Sequence, residues 1–95
     1  MAVTVSIPTI LRTHTGGNKT VEGTGATLGA LVDDIDAQHP GIRERLLESG
    51  SEGRSDLRRF VNVYVNDEDV RFTGGLETAL SDGDQVVVLP AVAGG

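Results

Sequence analysis

The chain has no cysteine and no tryptophan, and its aromatics are one tyrosine and two phenylalanines in 95 residues. Without a thiol there is no disulfide scaffold, no thiolate metal site and no cysteine nucleophile. Positive charge is scarce too: eight Lys and Arg stand against fourteen Asp and Glu, a formal charge of −6. That sign disfavours nucleic acid and anionic membrane as partners, since both reward positive charge. It suits a docking protein with a basic face better. No segment approaches the roughly 20 apolar residues needed to span a bilayer. The N-terminus lacks the basic flank and continuous apolar stretch of a signal peptide, so a cytoplasmic location is expected. The sequon Asn18-Lys19-Thr20 stands alone, with nothing else pointing to secretion.

What is present describes one small domain with 38% hydrophobic residues and thirteen glycines. A chain this short buries only roughly 60–65% of its unfolded surface, leaving a core too thin for a cofactor cleft. No bound cofactor is therefore expected.

Val3, Val5 and Ile7 alternate with Thr4 and Ser6, the mark of a half-buried strand closed by Pro8, which Ile10 and Leu11 can prolong. After a loop at His14–Asn18 with two adjacent glycines, Lys19–Glu22 reads as a short second strand and completes a hairpin. Thr27 is placed to cap a helix, and Leu28, Leu31, Val32 and Ile35 form its apolar stripe. Asp33, Asp34 and Asp36 fall off the stripe and are expected to be solvated. Pro40-Gly41 ends the helix. Ile42, Leu46 and Leu47 suggest a further helical turn, and the polar stretch Ser49–Asp56 a flexible loop.

Phe60–Asn66 carries Val61, Val63 and Val65 on one face of a strand. Asn66–Asp69 reads as a turn, Val70–Phe72 as a short strand, Leu76–Leu80 as one helical turn and Ser81–Asp84 as another turn. Val86–Leu89 is apolar throughout, as for a strand buried on both faces at the centre of a sheet, and Pro90 stops it. The order gives an α+β fold: a mixed sheet with one main helix across a face, of the β-grasp (ubiquitin-like) kind. Residues 1–90 are the expected domain and 91–95 a flexible tail.

Most chemistry-bearing motifs are absent. Gly23, Gly25 and Gly29 lie between a strand and a helix, but Leu28 stands where a dinucleotide fingerprint needs its third glycine, so a loop and cap are expected. Asp67-Glu68-Asp69 lacks the alternate ligands and distant Glu of a calcium loop. His14 and His39 have no metal-binding spacing and read as exposed loop residues. No serine lies in a nucleophile elbow. No catalytic residue and no metal site are expected.

The C-terminal Gly94-Gly95 stands apart. A tail without side chains can lie extended in a channel too narrow for a Cβ. The five residues Ala91–Gly95 reach roughly 16–18 Å, enough to carry a carboxylate into a partner's active site.

Gly83-Asp84 before an apolar strand, then Pro90, then terminal Gly94-Gly95, resembles the ubiquitin-like sulfur carriers of the ThiS/MoaD family. Three blocks, Val3–Arg12, Phe60–Phe72 and Leu89–Gly95, are similar to its cysteine-biosynthesis branch. The resemblance is weak in the helix and in Ser49–Asp56.

The resemblance implies a carrier that is a co-substrate and not an enzyme. Gly95 would be adenylated by an E1-like adenylyltransferase using ATP and converted to a thiocarboxylate. A PLP-dependent O-phosphoserine sulfhydrylase would take the sulfur, and a zinc-dependent JAMM-type metallopeptidase would release the cysteine formed. Pro90, Ala91, Val92, Ala93 and Gly94 would be the neck that enters each partner. The same resemblance leaves open a molybdopterin synthase small subunit, a protein modifier, or a shared donor to a natural-product (thiosugar or thiazole) enzyme.

Overall fold

A computed structural model describes residues 2–49, 55–57 and 61–90. Strands β1 (Val3–Ser6) and β2 (Thr20–Gly23) precede helices α1 (Leu28–Gln38) and α2 (Ile42–Leu46). Then follow β3 (Leu47–Ser49), β4 (Ser55–Leu57), β5 (Val61–Val65), β6 (Glu68–Asp69) and β7 (Gln85–Pro90). Five strands form a sheet in the order β2-β1-β7-β5-β6, and β3 and β4 form a separate pair. Chain-end strands β1 and β7 lie side by side and parallel, and the other pairs are antiparallel.

The two-residue period of β1, β5 and β7 sends Val3, Val5, Val61, Val63, Val65, Val86 and Val88 to one face. On that face lies α1, whose Leu28, Leu31, Val32 and Ile35 are buried as their spacing predicts. Thr27 caps the helix, its hydroxyl accepting from Ala30 N at 3.3 Å. The preceding glycines allow close approach: a Cβ on Gly25 would lie 2.5 Å from Leu31 N, and one on Gly23 2.8 Å from Leu31 Cδ1. This is the expected loop and cap.

Several expectations are corrected. Ile10 and Leu11 do not prolong β1. Pro8 turns the chain, and Thr9–Thr15 is a 3-10 helix that buries Leu11 and leaves Ile10 68% exposed. The polar stretch Ser49–Asp56 contains strand residues, since Leu47, Glu48 and Ser49 pair with Leu57, Asp56 and Ser55. Only the outermost pair is apolar, and it packs on the core, so composition concealed the pairing. Leu47 accordingly leaves the helix for an extended conformation.

Val70–Phe72 is a 3-10 turn and not a strand. Asp69 caps it by accepting from Arg71 N at 2.9 Å, Val70 is buried, and Phe72 is 87% exposed. The β5–β6 turn narrows to Asn66-Asp67, both at positive φ as a two-residue hairpin requires. The helical turn expected at Leu76–Leu80 is Gly75–Glu77, and Ala79 instead bridges to Thr27.

The helix carboxylates are structural. Asp36 Oδ1 accepts from Gly41 N and Arg43 N at 3.1 Å each, which fixes the start of α2. Asp34 accepts from Thr24 N and Gln38 Nε2 at 3.0 Å each, and Asp33 pairs with Arg43 Nε at 2.9 Å. Both histidines are half-buried: His14 lies in the first 3-10 helix beside Gly41, and His39 ends α1.

Finally, β7 is central but buried on one face only. Val86 and Val88 are in the core, Val87 is half-buried and Leu89 is 47% exposed. Among the described residues a single helical layer covers one side of the sheet, and the other side is open.

Candidate functional site

The open face is built from the strand residues that alternate with the core. Thr20, Ser6, Val87, Tyr64 and Asp69 form a row across all five strands. Toward the end of β7, Leu89 faces Asn62 and Pro90 faces Val61. This is where the chain leaves the sheet. Pro90 is thus placed at the root of the predicted neck, while Ala91, Val92, Ala93, Gly94 and Gly95 lie outside the described residues.

On the β1 side of that exit, pairing with β7 ends at Ser6 and Val87, and Pro8 has no N–H to continue it. The departing chain opens a groove of about 380 Å³ lined by Ser6, Pro8, Ile10, Arg12, Val87 and Leu89, among others. Arg12 Nε donates to Ile7 O at 3.1 Å, which holds the guanidinium at the groove wall. Ile7 N in turn donates to Lys19 O at 2.8 Å, tying the Lys19 segment to the same end.

On the β5 side, β6 pairs only with Tyr64 and Val65, so it stops short of Val61 and Asn62. Arg71 takes its place. Nη2 donates to Val61 O at 2.7 Å and Nη1 to Asn62 Oδ1 at 2.8 Å, the forked geometry that a guanidinium provides and an ammonium does not. The first residues of β5, against which Leu89 and Pro90 lie, are therefore held from both sides.

The opposite end of the sheet is anionic. Glu22, Asp67, Glu68, Asp82 and Asp84 gather around Ala2, Asn66 and Gln85. A hydrogen bond from Ser81 N, and then one from Asn66 Nδ2, holds the Asp84 carboxyl below its ordinary value of 3.8.

Among the described residues no three His, Cys, Asp or Glu side chains gather as a metal site requires, and no buried side-chain polar atom lacks a partner. The buried hydroxyls of Thr15 and Thr78 lie in hydrogen bonds to backbone carbonyls. The described residues thus form a platform for a strand end. Sequence reasoning missed the Ile10–Leu89 groove and the Arg71 clip. Charge and polarity gave no signal for either. The one available clue was that a lone amphipathic helix cannot cover both faces of a sheet.

A five-stranded mixed sheet, one main helix across it, parallel first and last strands and an exposed strand end define the ubiquitin-like β-grasp class. The chain belongs to the ThiS family, whose model matches residues 5–95. It is 64% identical over 95 residues to the sulfur carrier protein CysO of Mycobacterium tuberculosis, covering 100% of both chains. The crystal structure of M. tuberculosis CysO superposes with a TM-score of 0.87 at 63% identity, over 95% of this chain and 99% of that one. The chain matched in the Amycolatopsis orientalis BexX/CysO complex gives a TM-score of 0.88 at 61% identity, over 98% and 99%. The protein is a sulfur carrier of the ubiquitin-like type and not a catalyst. No described helix is long and apolar enough to cross a membrane.

Proposed function

We propose that Gly95 is the sulfur-bearing residue and that the carrier serves cysteine biosynthesis from O-phosphoserine in the cytoplasm. The observation that carries this reading is the 64% identity to a sulfur carrier named CysO along the full chain, tail included. The Gly95 carboxylate attacks the α-phosphorus of ATP on an E1-like adenylyltransferase, and pyrophosphate leaves. A sulfide equivalent then attacks the acyl carbon and AMP leaves, which gives the thiocarboxylate.

On a PLP-dependent sulfhydrylase the thiocarboxylate sulfur adds to the β-carbon of an aminoacrylate formed from O-phosphoserine. An S-to-N acyl shift leaves cysteine amide-linked to Gly95. A JAMM-type zinc peptidase hydrolyses that amide and restores the Gly-Gly end. PLP, zinc and ATP belong to the partners, and Pro90 to Gly94 form the neck that each of them grips. Residues 1–90 act as the handle and 91–95 as the working tail. A chain with no thiol suits the role, because no internal thiol can intercept the activated acyl group.

A second acceptor is favoured by one observation: the Amycolatopsis relative was solved in complex with BexX. On that reading the same tail also serves a sulfur-inserting natural-product enzyme. Intact mass spectrometry tests the proposal, after incubation with ATP, a sulfide source and the E1-like enzyme of the same organism. The expected change is one oxygen replaced by sulfur at Gly95, and an unchanged mass would refute the carrier chemistry. Adding the sulfhydrylase and O-phosphoserine should then give a cysteinyl adduct. Its absence, with the thiocarboxylate present, would move the acceptor to another pathway.

A further inference from the structure

In the turn that leads into β7, Asp82-Gly83 is the only place in the chain where an Asp or Asn is followed by glycine. That dipeptide has a chemistry of its own, because glycine has no Cβ to shield its nitrogen from the preceding carboxyl. The Gly83 nitrogen attacks Asp82 Cγ, and its proton leaves with one carboxyl oxygen as water, closing a succinimide ring. Water then reopens the ring. Addition at the side-chain carbonyl restores Asp82. Addition at the main-chain carbonyl gives isoaspartate, with the backbone routed through Cβ and Cγ. No cofactor or oxidant takes part, and both residues are exposed.

Yet both reacting groups are occupied, and by one residue. Asp82 Oδ1 accepts from Ala2 N at 2.8 Å, and Gly83 N donates to Ala2 O at 2.8 Å. Ring closure has to release the second bond, since the Gly83 nitrogen must lose its proton and turn onto Cγ. The turn itself is closed around the pair. Asp84 N donates to Ser81 O at 3.1 Å, Ser81 N donates to Asp84 Oδ2 at 2.8 Å, and Gly83 sits at φ 85. Just beyond, Thr4 N donates to Asp84 O at 3.1 Å where the parallel β1–β7 pairing begins.

We propose that Asp82-Gly83 is a latent isomerisation site, held silent in the folded chain by the Ala2 backbone. It reacts when the residues leading into β1 come away from the turn. The product cannot close the latch again. Isoaspartate adds one atom to the main chain and leaves the free carboxylate on the α-carbon, so Ala2 cannot regain both partners in their former places. The site therefore marks molecules whose β1–β7 contact has opened, and keeps that contact from re-forming as it was.

The test ages the full chain at neutral pH and physiological temperature, folded and in urea. Isoaspartate is measured with protein isoaspartyl methyltransferase and radiolabelled S-adenosylmethionine, and peptide mapping assigns the position. Isoaspartate at 82 should form at least about tenfold faster in urea than in the folded chain, as for a segment protected by local structure. Asp82→Glu should abolish it in both states, because the larger ring closes far more slowly. The same latch slows amide hydrogen exchange at Gly83, so its protection in the folded chain should match that ratio within about threefold. Ala2→Pro removes the N–H that donates to Asp82 and keeps the carbonyl, and should speed isomerisation of the folded variant at least about threefold. Equal rates in folded and unfolded wild type would overturn the proposal, as would no isoaspartate at 82 in urea. So would slow isomerisation beside an unprotected Gly83 amide, a comparison that needs no variant to fold. An Ala2→Pro chain that folds and ages like wild type would overturn the assignment of the latch to Ala2.

Discussion

Val86 and Val88 on one side of β7, and Val87 and Leu89 on the other, are near-identical residues one peptide apart with opposite surroundings. The first pair is packed under α1. The second lies on an open face whose far row is anionic and whose exit row is apolar and cationic. The sheet therefore divides its work by side: one face makes the fold, the other presents it. Changes to the core face should act on stability, and changes to the open face on delivery of the tail.

The sharpest way to break this division is to delete Gly95. Tail activation should vanish by pyrophosphate exchange while the melting temperature stays put, because a single glycine carries no side chain to bury. Next comes the core itself. Leu31→Ala should cost about 2–5 kcal/mol by urea unfolding, since the side chain is fully buried between α1 and the sheet. Leu89→Ala, on the open face, should cost less than about 1 kcal/mol, and should weaken docking instead. Comparable stability losses in the two would show that the faces are not distinct.

A smaller effect is expected at the rim of the core. Thr27→Ala removes the hydroxyl that accepts from Ala30 N and should cost about 1 kcal/mol in thermal or urea unfolding. The smallest concerns Asp84. Its carboxyl is held below the ordinary value by Ser81 N and Asn66 Nδ2, so the stability it contributes is present above the unfolded value of 3.8. That contribution is lost as pH falls through the lower folded value. Asp84→Asn should lower stability slightly at neutral pH and flatten the acid limb of a stability–pH curve, so that variant and wild type converge as pH falls well below 3.8. A constant difference between the two curves from neutral to acid pH would exclude this linkage.

Much of the fold was legible because it rests on period. Val3-Val5-Ile7, the Leu28–Ile35 stripe and Val61-Val63-Val65 each announce a buried face, and each is buried. What period could not show is what tertiary placement decides. Leu47 and Leu57 are strand partners separated by polar residues with no pattern. Val70-Arg71-Phe72 looks like a strand by composition, yet Asp69 captures the Arg71 amide and turns the chain. For the same reason Val87 and Leu89 read as core: side-chain type says that a residue tolerates burial, not that anything is there to cover it.

The candidate site divides likewise. The role proposed for Gly94-Gly95 is framed from the residue type alone, because a stretch without side chains fits a channel too narrow for a Cβ. The Ile10–Arg12 wall of the groove could not be read that way. It exists only because Pro8 ends β1 and the 3-10 helix swings those residues beside Leu89.

The parallel pairing of β1 with β7 ties the order of synthesis to the soundness of the product. The strand made last lies at the centre of the sheet, between β1 and β5, so the earlier strands have no completed sheet to join until it arrives. Contacts between residues near 5 and near 86 span almost the whole chain, which makes closure a late, long-range event. A polypeptide cut short before Gln85 would lack its central strand and remain open to proteolysis. Folding thus waits on β7: a molecule compact enough to survive is one whose chain has been made at least as far as that strand.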